Sequence, residues 1–183
     1  MVPRVGVRLV ASAQEEKRWD ELIRRHHYLG VATMVGETLR YVAELDGRWA
    51  ALTGFASAAL KVKARDEHIG WTPEQQTKRV IYIAQNARFL ILPGFNVANM
   101  GSRVLGLCLR RLSNHWQTTH SRPVLVCETF VNPSLLTVAS YRRMSRSMLK
   151  FKARPAGPKG PKGSRSVGRA GSGSAPYEVG WVE

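Results

Sequence analysis

The chain has 183 residues, 44% of them apolar, and a formal charge of +15, which is length and apolar content enough for one domain with a real core. From Arg142 onward ten Lys or Arg face two Glu, so +8 of that charge sits in the tail and the body is only modestly basic. Two cysteines without a C-x-x-C exclude a disulfide framework, and no signal peptide or apolar run near the roughly 18 residues of a membrane span is found, so the sequence reads as a soluble cytoplasmic protein with no membrane partner.

Ser12-Ala13-Gln14-Glu15 has the S-x-x-E form of a capping box and predicts a first helix over 13–27, with Trp19, Leu22, Ile23 and His26 on one face. It closes in Arg25-His26-His27-Tyr28-Leu29-Gly30, where the glycine suits a left-handed terminating residue. His26 and His27 read either as acid–base groups or as one packed and one exposed histidine at a helix end. Adjacent helix positions point about 100° apart and no further ligand stands at a recognised spacing, so no metal site is expected.

Leu39 to Leu45 and Arg48 to Phe55 are rich in strand formers and flank Asp46-Gly47, a strong hairpin signal. The stretch Lys61 to Trp71 is dense in polar groups and predicts a loop. In it Arg65, Asp66, His68 and Trp71 are either lining for a ligand site, the arginine a fork for phosphate or carboxylate, or parts of a solvated connector. Thr72-Pro73-Glu74-Gln75 opens another helix through a cap, a first-turn proline and a weaker capping box. Arg79 to Ala84 suits a helix or a strand; as a strand it would make Gln85-Asn86-Ala87 a break or bulge.

Phe89 to Leu92 is a short apolar run closed by Pro93-Gly94, and Val104, Leu105, Cys108, Leu109, Leu112 and Trp116 recur at helical spacing. With the apolar run Val124 to Val131 these predict a central βαβ unit over 88–131: strand 88–92, helix 100–116 and strand 124–131, joined by a right-handed crossover. Asn99, Gly101, Ser102 and Arg103 stand at the helix start, whose N–H groups suit an anion such as phosphate. Glu128 is a lone carboxylate in an apolar strand. It is either a general base of perturbed pKa at the carboxyl end of the sheet, or a structural carboxylate paired with an arginine such as Arg88 or Arg103.

Several blocks together resemble one family. His26-His27-Tyr28-Leu29-Gly30, Gly54-Phe55-Ala56-Ser57-Ala58-Ala59, Arg65-Asp66 with Ile69-Gly70-Trp71, Asn86-Ala87-Arg88-Phe89-Leu90-Ile91-Leu92-Pro93 and Glu128-Thr129-Phe130-Val131 are similar to the Druantia anti-phage protein DruA family. The likeness spans residues 12 to about 133. It implies a bacterial defence or mobile-element setting, with other defence-system proteins as partners; some members are labelled transposases. It carries over no catalytic residue, which leaves Glu128 and the pocket candidates His26, His27, Tyr28, Arg65, Asp66, Trp71, Asn86 and Arg88 resting on their own chemistry.

The order of elements also resembles the acyl-CoA-dependent N-acetyltransferase (GNAT) fold, an α/β (α+β) single mixed-sheet domain, which implies acetyl-CoA or another acyl-CoA as cofactor. In that fold the turn before the helix carries Arg/Gln-x-x-Gly-x-Gly/Ala, whose glycines let backbone N–H groups reach pyrophosphate. Here the stretch is Phe95-Asn96-Val97-Ala98-Asn99-Met100-Gly101-Ser102, with one glycine.

After Val131 the family-like ending is replaced by Leu135-Leu136-Thr137-Val138-Ala139-Ser140-Tyr141-Arg142-Arg143. The domain is therefore expected over 1–141, incomplete at its end, with 142–183 a disordered basic tail. The tail is either a DNA- or RNA-binding segment or the product of a truncation or frameshift after about residue 133, which would leave strand 124–131 an open edge. Arg103, Arg110 and Arg111 on the polar face of the central helix support action near nucleic acid. No paired Asp/Glu set of the two-metal kind supports a transposase. Two functions stay open: a nucleic-acid-proximal defence component, and an acyl-CoA-dependent transferase with Glu128 as base; an inactive remnant is the third.

Overall fold

A computed structural model of the protein describes residues 4–30, 33–131 and 178–182. Val5–Leu9, to which the sequence pattern assigned no element, is strand β1. Helix α1 (Ala13–His26) starts with half of the expected capping box: Ser12 Oγ accepts from Glu15 N at 3.2 Å, but the Glu15 carboxylate accepts from Ala11 N, one residue before the cap, and from Arg8. The buried histidine is His27, not His26. The chain turns extended at residue 27, so helical periodicity no longer decides which side chain points inward.

Strands β2 (Thr38–Leu45) and β3 (Arg48–Ser57) form the hairpin, with Asp46 at φ 52° and Gly47 at φ 73° in the left-handed region a two-residue turn demands. The stretch read as a loop contains a helix, α2 (Lys63–Ile69), ended by Gly70 at φ 71°. Seven residues are too few to hold a helix in water, so tertiary contacts, chiefly those of Arg65 described below, sustain it. Helix α3 (Pro73–Arg79) shows the complete Thr72/Gln75 capping box. One 3₁₀ turn, Val80–Tyr82, then leads into β4 (Ile83–Ile91), so the ambiguous 79–84 stretch is part helix and part strand.

Helix α4 (Met100–His120) and strands β5 (Val126–Val131) and β6 (Glu178–Val182) complete the fold. One mixed sheet runs β1-β2-β3-β4-β5-β6, antiparallel except between β4 and β5. The central βαβ unit is present, but its parallel pairing uses Ile83 to Asn86, ahead of the segment 88–92 expected to carry it. Both faces are covered, as near-continuous apolar strands require. Helix α4 lays Met100, Val104, Cys108, Leu112 and Trp116 against Tyr41, Phe55, Ala84 and Cys127. Helix α1 lays Trp19 and Ile23 on the other face, with Val42, Leu52 and Leu92.

The disordered-tail expectation fails at Glu178–Val182, which pairs with β5 from Cys127↔Val182 to Val131↔Glu178. The expected open edge on β5 is thereby occupied. Residues 142–177 of that expected tail lie outside the described residues.

Candidate functional site

The sheet opens between β4 and β5. Their ladder ends at Asn86↔Thr129; beyond it β4 stays paired with β3 while β5 stays paired with β6. The divergence coincides with a bulge. Gly54 faces Arg88 and Phe55 faces Asn86, which leaves Ala87 as the extra residue on β4, the break expected at 85–87. The buried Asn86 holds it, Nδ2 donating to Gly54 O and Arg88 O at 3.3 Å. A bulge at diverging strands leaves backbone groups without ladder partners at the carboxyl end of a parallel pair, where open α/β sheets take ligands.

The start of α4 follows from the end of β4. Asn99, its N-cap residue, sits at φ 59° in the left-handed region and makes no side-chain cap bond, while Ser102 Oγ turns away to Asn99 O at 3.1 Å. None of the side chains read as caps therefore covers the first turn. With Gly101 set at the last position of the Arg/Gln-x-x-Gly-x-Gly/Ala pattern, Asn99 falls on its first glycine. Asparagine is the residue that most readily takes that conformation in glycine's place, so a glycine count missed it.

On the α1 face, His27 and Tyr28 have ring centroids 4.6 Å apart. Burial, helped by the charge of Arg88, pushes His27 down to about 4. It is neutral, and its Nδ1 accepts from Leu29 N at 3.3 Å. Arg88, half-buried just after the bulge, donates to Ala87 O at 2.6 Å and Thr33 O at 2.9 Å. His26 is exposed and joins none of this.

Glu128 and Arg65 are fully buried and meet at 3.4 Å. The partner is an arginine, as one of the two readings had it, but it is Arg65 of α2 rather than Arg88 or Arg103. Arg65 also bonds Asp66 at 2.9 Å and Leu60 O at 2.8 Å, so it is no solvated connector. Asp66 gathers Val62 N, Trp71 Nε1 and Gln76 Nε2, tying the α2 and α3 segments together. Burial pushes Glu128 up to about 7 against the attraction of Arg65, and its Oε2 has no partner among the described residues. Gln76, which the sequence did not single out, supplies the shortest of the Asp66 bonds at 2.6 Å.

The candidates therefore form three groups: the start of α4, the His27-Tyr28-Asn86-Arg88 corner at the bulge, and the Arg65-Asp66-Trp71-Glu128 network. Among the described residues no cluster of three or more His, Cys, Asp or Glu suits a metal ion, and no helix is long and apolar enough to cross a membrane.

The family model of the Druantia protein DruA matches residues 2–157. The chain belongs to the DruA family. It is thus related to a component of a defence system, and the match extends past residue 133, where the sequence likeness was set to end. No curated protein matches the chain. Among solved structures this DruA-family chain is similar to the aminoglycoside acetyltransferase AAC(6')-Ib in complex with paromomycin and acetyl-CoA, with 14% identity, TM-score 0.55, and coverage of 97% of this chain and 92% of that one. It is similar to a GNAT-family acetyltransferase from Streptococcus pneumoniae at 11% identity, TM-score 0.52, covering 97% and 98%. A third is FeeM, an N-acyl amino acid synthase from uncultured soil microbes, at 10% identity, TM-score 0.52, covering 99% and 91%. At such identities the likeness shows the fold, an α+β domain of GNAT type.

Proposed function

We propose that this chain binds an acyl-CoA between β4 and β5 and transfers the acyl group to an amine, as the enzymatic part of a bacterial anti-phage defence or mobile-element system that includes other defence proteins. The observation that carries this reading is the start of α4. A left-handed residue at the first glycine position, with no side-chain cap bond from Asn99, favours the Gly101 and Ser102 N–H groups as a cradle for pyrophosphate. The acceptor nitrogen attacks the thioester carbonyl, the C–S bond breaks, and the proton leaving the nitrogen ends on the departing CoA sulfur. Glu128, sealed from solvent, supports the site by holding α2 against β5 and needs no part in that transfer.

A second reading, action on nucleic acid, draws on exposed Arg110 and Arg111 along α4. Calorimetry with acetyl-CoA and with a short DNA duplex at low and high salt separates the two. Acetyl-CoA binds and Ser102→Pro, which deletes a first-turn N–H at a position where a helix tolerates proline, weakens it at least about tenfold. Asn99→Gly keeps binding and Asn99→Val loses it. Salt-steep DNA binding without an acetyl-CoA signal sinks the transferase.

A further inference from the structure

We infer that the exposed face of α4 docks the phosphate backbone of nucleic acid, which anchors the chain on the side of the sheet opposite α1. The inference goes beyond acyl transfer and stands whether or not an acyl-CoA binds.

The charges of this chain are divided between α4 and the other helices. Helices α1, α2 and α3 carry seven Asp or Glu against eight Lys or Arg, and each has an ion pair of its own: Arg25 with Glu21, Lys63 with Glu67, Lys78 with Glu74. Helix α4, 21 residues long, has three arginines and no acidic residue. Between Glu74 and Glu128 the sequence holds no Asp or Glu at all, and Glu128 is buried against Arg65. The strand residues beneath α4, among them Val7, Leu9, Tyr41, Ala43 and Phe55, are uncharged. Residues 129–177 add ten Lys or Arg and no Asp or Glu, so that stretch brings no counter-charge.

Arg110 and Arg111 stand in the middle of α4, both exposed, and neither forms an ion pair among the described residues. Arg110 lies back over Gly106 and Arg111 donates to Leu107 O at 3.1 Å, which sets both guanidinium groups along the helix surface. Asn114, Gln117 and Thr118 follow on the next turns, also exposed. Such a stripe meets phosphate oxygens by charge and hydrogen bond and reads no base. None of the exposed α4 residues is apolar, so the face has nothing to insert into a lipid surface. Arg110 is about 14 Å along the helix axis from Gly101, which leaves the start of α4 clear.

Anisotropy of a labelled DNA duplex, in two unrelated sequences and over a salt series, tests this with the full chain. Both sequences bind alike, and affinity falls steeply with salt. Arg110→Gln/Arg111→Gln, which keeps good helix formers, lowers affinity at least about tenfold and flattens the log–log salt slope by about 2. Arg24→Gln/Arg25→Gln, which removes the same charge from exposed positions of α1, changes neither. Arg110→Lys/Arg111→Lys keeps most of the affinity, because phosphate responds to charge. Equal losses in the α1 and α4 glutamine variants overturn the inference, since net charge alone would explain them. A lysine variant as weak as the glutamine one also overturns it, as does the absence of duplex binding, duplex binding that neither glutamine variant alters, or binding only to phosphatidylserine vesicles. Duplex binding lost only in the α4 glutamine variant upholds the inference. If the natural protein then binds no acetyl-CoA, the transferase alone is overturned; if it binds acetyl-CoA and the α4 variant does so equally well, both readings stand.

Discussion

Desolvation at Glu128 outweighs the attraction of the Arg65 guanidinium 3.4 Å away, so the carboxyl takes up its proton near pH 7 rather than 4.5. The folded state holds that proton more tightly than the unfolded chain. Its contribution to stability is therefore fully present below pH 4.5 and is lost as pH rises to about 7. Relative to Glu128→Gln, the natural protein loses on the order of 3 kcal/mol across that window. Urea midpoints at several pH values check this, and parallel profiles for the two proteins would disprove it. His27 has the opposite sign: with a pKa lowered from 6.5 to about 4, its contribution is present above 6.5 and lost as pH falls towards 4. That an isolated carboxylate in an apolar strand must be perturbed was legible from its neighbours in sequence. That Arg65 is its partner was not, because the two are 63 residues apart and meet only when α2 docks.

Among the elements, those with local chemical signatures were legible: the serine cap at Ser12, the capping box at Thr72, the Asp46-Gly47 turn, and the apolar stripe of α4. The turn gives a clean test. Gly47, at φ 73°, has open space about its Cα, so Gly47→Val costs about 1–2 kcal/mol through backbone strain alone. Chemical denaturation should show a lower midpoint with unchanged slope. An unchanged midpoint would mean that the hairpin tolerates another turn. Helix α2 lacked such signals. Its N-cap residue, Val62, makes no side-chain cap bond, and its charged sequence reads as loop until Arg65 is buried.

For the whole molecule the sheet edge decides durability. β5 is apolar and paired on one side with β4 only as far as Thr129, so β6 supplies the rest of its backbone partners. Deleting 178–183 exposes that edge, and we expect self-association together with a lower Tm, measured by light scattering and calorimetry. A monomer of unchanged Tm would show β6 to be dispensable.

Periodicity and turn chemistry determined by themselves the βαβ core, and with the order of elements the α+β class. They left 79–84 open between helix and strand and so gave the bulge at 85–87 only as one alternative, while the family rested on the likeness of short residue blocks. These depend on spacings of a few residues. Tertiary structure alone decided which histidine is buried, which arginine meets Glu128, and that Asn99 takes the place of a glycine. Each is set by contacts or a backbone angle that chain packing imposes, and no local pattern of side chains records them.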